Sequence, residues 1–232
     1  MAIRNPLLIL LLLLSTGCTP FAFAPPPPTP QTVTVAHTPA LRWMRNLLHA
    51  CAVEDPGMAL FTEEIPASSI DIETADISIL IGSPPQGNDA PATLLGWEEI
   101  IIVSNLNIDA ASLDEAGIRS TYTSLEPRYQ GWTYLPGSEL NQIFNAAVLG
   151  DKLPPPQTML APDPAAMLST VAENANAIGY LPQSWLTDEV RTLPMSAEVE
   201  NALHQPIIAL THAEPTGVIR TFLSCLWHLL EK

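Results

Sequence analysis

Basic side chains are scarce in this chain of 232 residues. Lys and Arg together number 9 against 24 Asp and Glu, for a formal net charge of −15. Binding nucleic acid takes clustered cations that neutralise phosphates, so this balance argues against such a partner. It argues equally against an electrostatic grip on anionic lipid. A small anion is still compatible, because backbone N–H dipoles gathered at one point hold an anion inside an acidic protein. Catalytic motifs are missing as well. The chain has no Gly-x-Ser-x-Gly elbow, no P-loop, no His-Glu-x-x-His and no Cys/His cluster at metal-ligand spacing. His37, His49, His204, His212 and His228 are scattered. The chain is therefore read as non-enzymatic, without metal or cofactor. No internal repeat is visible.

Long apolar runs are absent too. Leu7 to Leu14 is an unbroken run of eight residues, too short to span a bilayer. Arg4 precedes it and Ser15-Thr-Gly-Cys18 follows, which resembles a bacterial lipobox. Residues 1–17 are thus expected to be a lipoprotein signal peptide, with lipid on the sulfur of Cys18. The Pro-rich stretch Pro25 to Pro30 reads as an extended spacer, so residues 18–31 form a tether between anchor and folded domain. Of the three cysteines, Cys51 and Cys225 remain. Two small buried thiols are the favoured reading; a disulfide, which an exported chain permits, is the alternative.

Strands and helices alternate along the rest. Thr32 to Ala36 reads as a strand, and Thr38-Pro39 as the start of a helix whose apolar face is Leu41, Met44, Leu48 and Cys51. Short strands are expected at Met58–Phe61, Ile77–Ile81 and Ile100–Val103. Ser112-Leu-Asp-Glu115 reads as a capping box for a helix ending near Gly117 to Arg119. Gln130 to Leu135 is a strand, and Ser138 to Leu149 a helix with Gly150 just past its end. Asp163-Pro164 caps a further helix. Ala177–Tyr180 and Ile207–Leu210 are late strands, and Thr216-Gly217 opens the last helix. Such alternation predicts an α/β fold, with a mostly parallel sheet and sites at the carboxyl ends of strands.

The run Trp132-Thr-Tyr-Leu-Pro-Gly-Ser-Glu-Leu-Asn-Gln-Ile-Phe144 is the most specific motif: strand, turn, then helix start. Val33-Thr-Val-Ala-His-Thr-Pro-Ala-Leu41, Ala75-Asp-Ile-Ser-Ile-Leu-Ile-Gly-Ser-Pro84, Glu99-Ile-Ile-Ile-Val-Ser-Asn105 and Ala177-Ile-Gly-Tyr-Leu-Pro182 accompany it in order. In that order the segments resemble the solute-binding lipoproteins of ABC importers, in particular the phosphate-binding branch. The resemblance implies a two-lobed, type II periplasmic-binding-protein-like fold. Lobe one would take residues 32–103 and 185–232, and lobe two residues 104–184, with a cleft between them. It implies ligand-binding roles for Thr38, Ser83, Gly137 and Ser138, with Tyr134 and Tyr180 as aromatic walls. In this arrangement the first and last helices share a lobe, which would let Cys51 meet Cys225.

Two positions and one loop depart from the family pattern: the loop Gly82-Ser-Pro-Pro85 lacks the Asp usual there. Glu139 stands where the second Gly of a Gly-Ser-Gly-Thr helix start is usual, and Tyr134 stands at the usual Arg position. The implied function is an extracytoplasmic, lipid-anchored monomer that captures a small polar or anionic solute for an ABC permease. Inorganic phosphate is the nearest family ligand. The membrane would be met through the lipid alone. A non-transport sensor or surface adhesion lipoprotein on the same fold is the alternative.

Overall fold

Strand β1 (Gln31–His37) buries Val33 and Val35 completely while Thr34 between them is half-buried, the alternation of a pleated strand. It belongs to a computed structural model that describes residues 29–70, 73–84, 87, 89–150, 152, 154–156 and 158–231. The expected signal peptide, Cys18, most of the Pro-rich tether and Pro85 lie outside the described residues. After β1 the chain forms a 3-10 segment, Pro39–Met44, which runs into helix α1 (Arg45–Val53). Strands β2 (Met58–Glu64) and β3 (Ile77–Ile81) flank β1 in parallel. Strand β9 (His204–Thr211) then joins β3 antiparallel. All five residues of β3 are buried, as expected for a strand covered on both faces.

Strand β4 (Ala92–Asn105) organises the whole molecule. Its 14 residues span about 46 Å at strand rise. Ala92 to Glu99 pair with β9; Ile100 to Ser104 pair with β7 (Ala177–Pro182), and Ile102 to Asn105 with β8 (Val190–Leu193), all antiparallel. Strands β5 (Gln130–Tyr134) and β6 (Met159–Ala161) extend the second wing in parallel. The order is β2-β1-β3-β9-β4-β7-β5-β6, a mixed sheet in two wings with β4 common to both. The change of partner falls between Glu99 and Ile100, earlier than the crossing read from the sequence at Val103–Ser104.

Helices cover the wings: α2 (Glu115–Thr121), α3 (Glu139–Phe144, continued by a wider π-type turn to Leu149), α4 (Pro164–Glu173), α5 (Ala197–Leu203) and α6 (Gly217–Leu230). The capping box expected at Ser112 is corrected. Asp114 caps α2 instead, its carboxylate accepting from the Gly117 N–H at 2.8 Å, and the helix runs on to Thr121. Ser112 closes a short 3-10 turn that Asp109 caps, so the chain turns twice where one start was read. The segments Met159–Ala161, Val190–Leu193 and Ala197–Leu203 had no sequence expectation at all; each presents only one or two buried residues.

The favoured reading of two free thiols is also corrected. Cys51 on α1 and Cys225 on α6 form a disulfide, with Cα atoms 5.8 Å apart. Helices α1 and α6 lie side by side, which brings together positions 174 residues apart in sequence. Leu41, Met44 and Leu48 on one side and Phe222, Leu223 and Leu226 on the other seal this corner of the core. Burying such a side chain contributes about 1.5–3 kcal/mol.

Candidate functional site

A cavity of about 800 Å³ opens between the wings. The loop after β3 supplies Gly82 and Ser83, the start of α3 supplies Gly137, Glu139 and Gln142, and the start of β9 supplies Gln205. Its size falls in the range of small-molecule sites. Gly82 and Gly137 make the two turns into it with φ of 95° and 92°, a left-handed backbone that residues with a Cβ rarely adopt. Among the described lining residues Glu139 is the one that carries a charge, and no Lys, Arg or His is among them.

The residues named from the sequence divide into four groups. Ser83 and Gly137 line the cavity, Ser83 with an exposed side chain. Ser138, half-buried, is a helix cap: its hydroxyl accepts from the Asn141 N–H at 3.2 Å. Thr38 lies near the cleft but is fully buried and does not line it. It begins the 3-10 segment without a side-chain capping bond, and its hydroxyl has no hydrogen-bond partner. Beside it lies the Glu139 carboxylate, whose Oε1 is buried and also without a partner. Burial pushes the Glu139 carboxyl above the usual carboxylate range; the adjacent Thr38 hydroxyl and Glu139's own N–H pull the other way. The two side chains face each other without reaching hydrogen-bond geometry, and of the two Glu139 lines the cavity while Thr38 does not.

The two tyrosines expected as cleft walls are core residues instead. Tyr134 and Tyr180 are 2% and 0% exposed. The Tyr134 hydroxyl donates to the Tyr180 carbonyl at 2.9 Å, and the Tyr180 hydroxyl meets the Thr133 hydroxyl at 2.6 Å. Asn141 donates to the Thr133 hydroxyl at 3.0 Å and to the Tyr134 carbonyl at 3.2 Å. Phe144 stacks on the Tyr180 ring at 3.8 Å. Burial pushes the Tyr180 hydroxyl up to about 12. The network closes the back of α3 and holds its first turn at the cavity wall. Alternation places residues 132 and 134 on the same strand face, but it does not say which face is covered by α3.

Several residues at the junction escaped the sequence reading. Glu98 on β4 accepts from the Ser184 hydroxyl at 2.7 Å and from the Ser184 N–H at 3.3 Å, tying β4 to the turn that follows β7. Burial holds its carboxyl above the ordinary range, against the Ser184 bonds. Trp185 donates from Nε1 to the Ala40 carbonyl at 2.8 Å. Arg42 bridges the wings: it donates to both oxygens of Glu64 on β2 at 2.6 Å and to Asp163 at 3.0 Å. Asp163 also caps α4, accepting from Ala166 N–H at 2.8 Å. The Arg42 bond holds the Glu64 carboxyl below its ordinary value. Asp163-Pro164 was legible as a cap, but nothing in the sequence links it to Arg42, 121 residues away.

No known family model matches the chain, and no curated protein matches it either. Solved structures do. The phosphate-bound structure of a protein assigned as a phosphate ABC transporter substrate-binding protein, from Clostridium perfringens, is similar with a TM-score of 0.73 and 16% identity, over 84% of this chain and 93% of that one. An ABC-type phosphate transport receptor from Vibrio cholerae is similar with a TM-score of 0.62 and 15% identity, over 84% and 93%. The CcmR regulatory domain from Synechocystis, in complex with 2-PG, is similar with a TM-score of 0.67 and 13% identity, over 87% and 98%. At these identities the likeness concerns the fold: α/β, with the two-winged architecture of type II periplasmic-binding-protein-like structures.

Proposed function

We propose that this chain is an extracytoplasmic solute-binding protein, lipid-anchored through Cys18, which captures a small polar solute between its wings and delivers it to an ABC permease. It works as a monomer. The cavity of about 800 Å³ carries this reading, because it lies between two wings joined by β4 and its wall is built from turns on both. Closing such wings around a solute is an established way to trap it. The fold shared with two phosphate-transport receptors supports the transport role.

A second reading is favoured by one observation. A regulatory domain in complex with 2-PG matches over 98% of its own length, so the fold also suits a ligand sensor with no transport role. The two readings share the ligand step and differ in the partner.

The test is a thermal-shift screen of the full chain against sugars, polyols, amines, amino acids and oxyanions. A compound at about 100 times its Kd stabilises the protein by about 2.7 kcal/mol. If no compound moves the melting temperature, the solute-binding reading falls. Replacing Cys18 by Ala is expected to move the protein from membranes to the soluble fraction; unchanged membrane association would refute the lipid anchor.

A further inference from the structure

Among the described residues the cleft is lined by one acidic side chain and by no cationic one. Glu139 is 8% exposed and lines the cavity, and its Oε1, itself enclosed, has no hydrogen-bond partner. The Thr38 hydroxyl is fully buried and does not line the cavity; on the first wing the lining hydroxyls are those of Ser68 and Ser83. The two glutamines of the wall each spend one of their two amide N–H groups on the backbone. Gln142 donates to the Gly137 carbonyl at 3.4 Å, and Gln205 to the Ala202 carbonyl at 2.7 Å. Each retains its amide oxygen as an acceptor and one amide N–H as a donor. A buried carboxylate favours a donor or a cation as its next neighbour and penalises a second anion.

We propose that the cleft selects a non-anionic solute that donates hydrogen bonds, a polyol, a sugar or an amine, and that Glu139 accepts from it while excluding phosphate and sulfate. This rests on the solute-binding reading above and narrows its ligand class. The volume agrees: about 800 Å³ is room for roughly 25 waters at about 30 Å³ each, ample for a ligand larger than a tetrahedral oxyanion.

The test is isothermal titration calorimetry on the full chain and on E139Q, with sodium phosphate, sodium sulfate, glucose, glycerol and putrescine, each up to about 10 mM. Glucose and glycerol represent uncharged donors, and putrescine a cationic one. Wild type is expected to bind at least one of the three and neither oxyanion. In E139Q that binding is expected to weaken at least about tenfold, the loss of one charge-assisted bond, while phosphate or sulfate affinity rises by a similar factor. A circular-dichroism melt checks that E139Q folds, and E139S replaces it if it does not. Phosphate or sulfate binding by wild type overturns the proposal and leaves the solute-binding reading standing. So does binding of a donor probe that E139Q does not weaken. Failure of all five probes against both proteins overturns the proposal, while the broader thermal-shift screen then decides the solute-binding reading separately.

Discussion

Breaking the Cys51–Cys225 disulfide is expected to cost this protein a large share of its stability. The bond closes a loop across a sequence separation of 174 residues, nearly the whole described chain. In the chain-entropy picture a cross-link of that length removes about 17 cal/mol/K from the unfolded ensemble, about 5 kcal/mol at 25 °C. Measured values commonly fall to about 2–4 kcal/mol, because real unfolded chains are already compact. For a domain of this size each kcal/mol moves Tm by roughly 2–4 °C, so reduction should lower Tm by roughly 5–15 °C. The bond is reachable: Cys225 is half-buried, and a small surface cavity borders both cysteines. Calorimetry of the oxidised protein against the same protein in a phosphine reductant isolates the cross-link, since reduction removes no side-chain atoms. The double variant C51A/C225A should melt lower again, because Cys51 is buried and its truncation adds a packing loss. Two free thiols in a non-reducing intact mass, or a Tm unmoved by reduction, would refute the argument.

Two further outcomes are expected. Glu98 has a folded-state pKa raised by burial, so its contribution is fully present below the ordinary carboxylate value of 4.5 and is lost as pH rises through the folded value. Stability measured by urea unfolding should therefore fall less between pH 4.5 and 7 in E98Q than in wild type; identical slopes would reject this. Gly179→Ala should destabilise by about 1–3 kcal/mol through overpacking, since an added Cβ would lie 2.4 Å from the Met167 sulfur and 2.9 Å from a Val171 methyl on α4. A denaturant midpoint equal to wild type would show that α4 yields without cost.

The strand–helix alternation was legible because β3 and β7 are short apolar runs and α1 and α6 carry clear apolar faces. The Gly137-Ser138 helix start was legible from local chemistry alone, as was the Asp163-Pro164 cap. What failed depended on distance or on facing. The disulfide, the Arg42–Asp163 bridge and the Glu98–Ser184 tie join residues 174, 121 and 86 positions apart, and no local pattern encodes such a meeting. Tyr134 and Tyr180 were misplaced because an aromatic with a polar tip suits a cleft wall and a hydrogen-bonded core equally well. Glu139 stands out in the sequence as a departure from the family pattern, yet only the structure puts it in the cavity wall with its carboxyl against Thr38.

Because β4 runs through both wings as one strand, irregular only between Leu94 and Gly96, the wings are not beads on a string. A shear between them would break the ladder on both sides, so relative movement has to be absorbed as torsion along the strand. The stretch best able to twist is Glu99 to Ile101, where β4 passes from β9 to β7 and has not yet gained β8. On its far side Ile102 to Ser104 are held along both edges. The molecule is thus built like a torsion spring with one end clamped. Amide protons of Ile102 to Ser104 would mark the clamp by slow exchange, and those near Glu99 would report each opening of the cleft.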